Sequence, residues 1–251
     1  MNNVYCVCTT PSIYPHYSAH WNNFKDTNKE LRWLCDVTND KDFSLDFDYT
    51  EDDIRKNLNF TKTLSTRHFW NCTGRRNIIW FYAHFRMLNF YLQNMDYDYY
   101  WFFDDDVRAD NWVEFFKGFE DDDSDFISYF VFKNHNVETQ PSVPKIDDKT
   151  YSNQQWFYRF PGDGDVLPNN VTELFGSFFP VVRFSKKAME TLLEFHKNGY
   201  DAYSEGFVPT ILNFTNHKIS SLYTPENKSN FFDDNIVNLK HKNSKIEWSW
   251  I

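Results

Sequence analysis

Tyr99-Tyr100-Trp101-Phe102-Phe103-Asp104-Asp105-Asp106 runs five aromatic residues straight into three carboxylates. An unbroken apolar run of this kind suits a strand covered on both faces, as in a parallel sheet. Three adjacent carboxylates repel one another, and burying them uncompensated would cost several kcal/mol. At the carboxyl end of a strand in an open α/β sheet they lie where ligands bind. Two carboxylates at i and i+2 converge on one hard cation, and Mg²⁺ or Mn²⁺ takes oxygen ligands and bridges to a substrate's phosphates. The competing reading is a solvated acidic turn. The abrupt change from aromatic to acidic favours the cation.

Working outward, residues 4–7 read as a strand closed by Thr9-Thr10-Pro11, and residues 31–35 as a second strand ending in Asp36. Residues 40–70 are charged and show no clear element. Trp80, His84, Met87, Leu88, Tyr91 and Leu92 then recur on one helical face. Beyond the triplet, the pattern predicts a helix over 112–119, a strand over 126–132 and a long Pro- and Gly-bearing loop over 133–172. A strand over 178–184 follows, with Ser185 as N-cap of a helix that Asn198-Gly199 stops. A shorter helix over 207–212 and a strand over 219–223 complete the pattern. Strands alternating with helices predict an α/β fold. No linker divides the chain, so residues 1–251 read as a single domain.

Composition sets the limits. Of 251 residues, 26 are Lys or Arg and 36 are Asp or Glu, a formal net charge of -10. The 27 Phe, 15 Tyr and 9 Trp exclude a disordered chain. With a pI near 5.2, polyanions such as nucleic acid are poor partners, and a phosphorylated ligand calls for a cation in between. Cys6, Cys8, Cys35 and Cys72 are too scattered for a disulfide framework and read as buried thiols in a reducing compartment. The N-terminus has no signal-peptide pattern, and no apolar stretch reaches the roughly 20 residues needed to span a bilayer. The expectation is a cytoplasmic chain without a transmembrane segment. The tail Glu247-Trp248-Ser249-Trp250-Ile251 leaves room for peripheral membrane contact, with packing back onto the domain as the simpler reading.

Other acidic groups serve as controls. Glu120-Asp121-Asp122-Asp123 has no apolar run leading into it and reads as a solvated loop, and Asp163-Gly164-Asp165 and Asp233-Asp234 read as turns. His84 and His196 fall within helical patterns and read as packing residues.

A Rossmann-like first half, an aspartate after the second strand, and an apolar strand ending in Asp-x-Asp together resemble a glycosyltransferase of the GT-A fold. The likeness extends to the segment 176–185 leading into a helix, to Ser204-Glu205-Gly206-Phe207-Val208-Pro209, and to Val237-Asn238-Leu239-Lys240-His241. The resemblance implies a mostly parallel sheet flanked by helices, a nucleotide-sugar-binding half over 1–110 and an acceptor-binding half over 111–245. It implies Mn²⁺ or Mg²⁺ as cofactor, held by Asp104, Asp106 and His241, with Asp105 helping to hold the metal or the nucleotide and Asp104 contacting the ribose or the metal. Asp36 and Thr9, or Thr10, fall to the nucleobase, and Arg76 to the diphosphate of a UDP- or GDP-sugar donor. Glu205 would be the general base that deprotonates a glycan acceptor hydroxyl, which implies inversion. Its place at a helix start would favour the ionised form. Trp156, Phe157, Tyr158 and Arg159 are the residues expected to meet the acceptor. The chain departs from the family pattern in its long 40–74 connection and in Pro11-Ser12-Ile13-Tyr14 after the first strand. The alternatives are a non-catalytic carbohydrate-binding protein with Ca²⁺ at the triplet and a metal-dependent phosphohydrolase, which would want more clustered His.

Overall fold

The computed structural model describes residues 2–60, 83–109, 111–129, 131–134 and 166–222. Among these, seven strands form one sheet in the order β3-β2-β1-β4-β8-β5-β9. They are β1 (Asn3–Thr9), β2 (Leu31–Asp36), β3 (Phe47–Tyr49), β4 (Tyr99–Asp104), β5 (Phe126–Ser128), β8 (Val181–Ser185) and β9 (Ile219–Ser221). Pairings β1–β2, β1–β4, β2–β3 and β5–β9 are parallel, while β8 runs antiparallel between β4 and β5. A second, two-stranded antiparallel sheet joins β6 (Val131–Asn134) to β7 (Leu174–Ser177). The fold is the expected α/β arrangement, a mostly parallel sheet flanked by helices.

The period-two alternation of β4 explains why both faces are covered. Tyr100 and Phe102 face one layer with Val4, Cys6, Cys8, Leu34, Val182 and Phe184. Helices α2 (Glu51–Asn57), α3 (Ala83–Gln93), α5 (Lys186–Lys197) and α6 (Ser204–Phe214) close that side. Trp101 and Phe103 face the other layer with Tyr5, Val7, Ile127 and Val181. There the cover is α1 (Tyr14–Tyr17) with the 3-10 segment Ser18–Thr27, and α4 (Trp112–Lys117). Trp21 stacks on Trp112 with ring centres 4.8 Å apart.

Several expectations are corrected. The segment 40–70 is not featureless: β3 lies there, followed by α2, whose capping box pairs Thr50 with Asp53. The run 126–132 is two strands in different sheets. The run 178–184 begins as a strand only at Val181, because Pro180 has no N–H to give a ladder. Helix α6 starts at Ser204 and contains Pro209. A proline leaves the carbonyl four residues back without its helical donor; here that is Glu205 O, which accepts from Ser177 Oγ at 3.2 Å. The acidic loop 120–123 is in part structural. Asp122 takes a 2.7 Å bond from Arg183, a guanidinium 2% exposed that lies over the Tyr99 ring at 4.4 Å. Cys6, Cys8 and Cys35 are buried free thiols, as expected; Cys72 lies outside the described residues.

Candidate active site

Because β1, β2 and β4 run parallel, Thr9, Asp36 and the acidic triplet leave the sheet at one edge. Register sets Cys8 beside Asp104. The chain then turns: Val107 N–H donates to Asp104 O at 3.1 Å, and buried Val107 and Ala109 pin the turn to the aromatic layer. Trp21 Nε1 donates to Asp105 O at 3.0 Å, which ties the 3-10 segment to the same turn.

Asp104, Asp105 and Asp36 each have their own setting. Asp104 Oδ1 accepts from Arg86 at 3.0 Å, a cation on α3 whose side chain is 15% exposed. Thr9 Oγ1 donates to Asp105 Oδ2 at 2.6 Å. Burial pushes the Asp105 carboxyl up to about 7, and the negative charges of Asp104 and Asp106 push the same way against that hydrogen bond. Asp36 Oδ1 accepts from Thr38 N at 3.0 Å and from Thr38 Oγ1 at 2.5 Å, so this atom braces its own turn.

Glu205 reaches the same edge from the far side. Phe179 N–H donates to its Oε1 at 3.1 Å, and Tyr203 O–H donates to its Oε2. The next residue, Pro180, accepts Asp104 N–H at 2.9 Å. A two-residue segment entering β8 therefore touches both the triplet and Glu205. Glu205 is 8% exposed, and burial raises its carboxyl from 4.5 to about 8, with Asp104 adding a smaller push. The expectation that the helix start keeps it ionised is corrected: desolvation outweighs the two donated bonds.

Thr9, Asp104, Asp105 and Glu205 are thus tied to one edge, and Asp36 sits at that edge in a turn of its own. Arg76, His241 and residues 156–159 lie outside the described residues. Arg86 was missed by sequence reasoning; a lone cation inside the apolar face of residues 83–92 is the signal that marks it. His84 and His196 are more than packing, since both rings make buried hydrogen bonds.

Among the described residues, no three His, Cys, Asp or Glu side chains are gathered to hold a metal ion by themselves. The donor chemistry of the triplet nevertheless fits Mg²⁺ or Mn²⁺, since Mg²⁺ commonly binds through one or two carboxylates and completes its shell from water and phosphate. Trp21, bonded to Asp105 O, also lines a recess of about 330 Å³ with Tyr14, Trp33, Ser18 and Asn22, and among the described residues no charged side chain lines it. No helix among the described residues is long and apolar enough to cross a membrane.

No protein-family model and no curated protein matches the chain. Among solved structures it is similar to the apo form of mouse xyloside xylosyltransferase 1, with a TM-score of 0.39 and 10% identity over 92% of this chain and 91% of that one. A TM-score of that size is too low to carry fold or chemistry from one protein to the other.

Proposed function

We propose that this edge is the active site of a metal-dependent glycosyltransferase of the GT-A type, moving a sugar from a nucleotide-diphosphate sugar to a glycan hydroxyl. The observation that carries the reading is the pair of carboxylate settings joined through Phe179 and Pro180. One is an acidic turn suited to a cation and a diphosphate, and the other a single buried carboxylate held apart from it. Asp104 and Asp106 are the residues that would hold Mn²⁺ or Mg²⁺, with Arg86 keeping Asp104 oriented. Bound there, the ion would offset the diphosphate charge and stabilise the departing nucleotide. Thr9 holds Asp105 against the end of β1. Glu205 takes the proton of the acceptor hydroxyl. Since its carboxyl sits at about 8, the ionised fraction grows with pH, and kcat/KM rises up to about pH 8.

The test uses Mn²⁺ with a panel of UDP-, GDP- and CMP-sugars, read by thermal shift and nucleotide release. Asp106→Ala is expected to lose metal-dependent nucleotide binding, and Glu205→Gln to keep binding while losing transfer by at least about 100-fold. Full turnover by Glu205→Gln would remove the base assignment. The neutral aromatic recess favours a second reading, a non-catalytic carbohydrate-binding protein with Ca²⁺ at the triplet. Binding of free glycans with no stabilisation by any nucleotide selects that reading.

A further inference from the structure

Behind Glu205 lies a chain of buried polar groups for which substrate contact has no use. Asp201, His84 and Ser204 are 0%, 1% and 2% exposed, and His196 is also buried. His196 Nε2 lies 2.6 Å from Leu58 O and its Nδ1 2.8 Å from Asp201 Oδ2. Both partners are acceptors, so the ring carries both protons. Burial opposes that charge, but the bond and charge of Asp201 and the Leu58 carbonyl raise the imidazole above 6.5, against a smaller opposing push from Lys197. His84 is the opposite case, lowered by burial and therefore neutral despite Asp201. Its one ring proton belongs on Nε2, which faces the Asp201 carboxylate across 3.8 Å, an electrostatic approach longer than a hydrogen bond. Its Nδ1 then accepts the Ser204 hydroxyl at 2.8 Å, while Ser204 Oγ accepts the His84 backbone N–H at 3.2 Å.

We propose that Ser204, His84, Asp201 and His196 are positioning residues for Glu205: the Ser204–His84 and Asp201–His196 hydrogen bonds, set against each other across a 3.8 Å approach of His84 Nε2 to Asp201 Oδ1, fix the first turn of α6 and so aim the carboxylate. That turn needs outside support. Its N-cap, Tyr203, makes no side-chain cap bond, and Pro209 removes a bond from the same turn. Ser204 is the residue that ties it to α3. Asp201 passes the restraint to His196 on α5 and, through Leu58 O, to the end of α2. Glu205, next in the chain, is thereby held where Phe179 N–H and Tyr203 O–H reach it. The inference rests on the reading of Glu205 as the base, but its first test needs no turnover.

The folded-state titration of Glu205 is measured as the difference in unfolding stability between the wild type and Glu205→Gln across pH 5–9. The measurement is repeated in Ser204→Ala and Ser204→Thr backgrounds. With the Oγ gone, the carboxylate should gain water and its titration should fall by about one unit or more; threonine, which keeps the Oγ, should restore it. Where the sugar panel yields a donor, Ser204→Ala should lower kcat about tenfold or more with KM unchanged. If Ser204→Ala does not fold, His196→Gln carries the same comparison. A Glu205 titration unmoved in the variant, or a shift that threonine does not reverse, overturns the proposal. Absence of transfer from every donor, with the titration shift present, would instead count against the transferase reading.

Discussion

Glu205 and Thr9 show how much one side chain's surroundings decide. The folded Glu205 carboxyl, raised to about 8 by burial, holds a proton that the unfolded chain has already released above 4.5. The stability from that proton is complete below 4.5 and is lost as pH rises through about 8. Glu205→Gln cannot titrate, so the wild type should lose on the order of 4 kcal/mol relative to it between pH 4.5 and 9. Urea denaturation at stepped pH reads this, and a flat difference would show that the carboxyl titrates normally. Thr9→Val keeps shape but removes the donor to Asp105. It should cost about 1–2 kcal/mol at pH 8, by the same denaturation, since a part-buried carboxylate loses a bond. Thr9 stands out in the sequence as a strand-end hydroxyl, yet its partner is Asp105, in the turn that follows β4. Arg86 is equally present in the sequence, but only the packing of α3 under β4 gives it Asp104.

Among elements, α5 was legible to the residue. Ser185 Oγ accepts Ala188 N–H at 3.1 Å, and Gly199 follows the helix at φ +82°. Ser185 also donates to Asp125 Oδ1 at 2.7 Å. Ser185→Ala should therefore cost about 1–2 kcal/mol, the value of a cap plus part of a second bond. A fall in Tm below 1 °C would mean that neither bond matters. Helix α2 went unread because its segment is charged; Asp53 closes the capping box with Thr50 in place of the Glu or Gln usually sought there. Helix α6 begins three residues before the expected 207–212, and only Ser177, from another strand, shows how the carbonyl that Pro209 frees is satisfied.

For the whole molecule, the sheet divides its aromatics between two layers, and depth decides their worth. Trp101, 2% exposed, packs against Phe103, Phe115, Phe116 and Phe119. Trp101→Ala should cost about 3–5 kcal/mol, whereas Trp33→Ala, at the wall of the half-open recess, should cost about 1 kcal/mol. Comparable losses in chemical denaturation would mean that the recess is core. The sequence by itself determined that the chain is α/β, that residues 99–103 form a strand buried on both faces, and that an acidic triplet ends it. Those features depend on hydrophobic period and on neighbours a few residues apart. Tertiary structure alone decided which carboxylates meet. Strand β8 enters antiparallel between β4 and β5, and this brings Pro180 to Asp104 and Phe179 to Glu205. No local preference encodes a contact between segments so far apart in the chain, and the burial that holds Glu205 protonated exists only once those layers have closed over it.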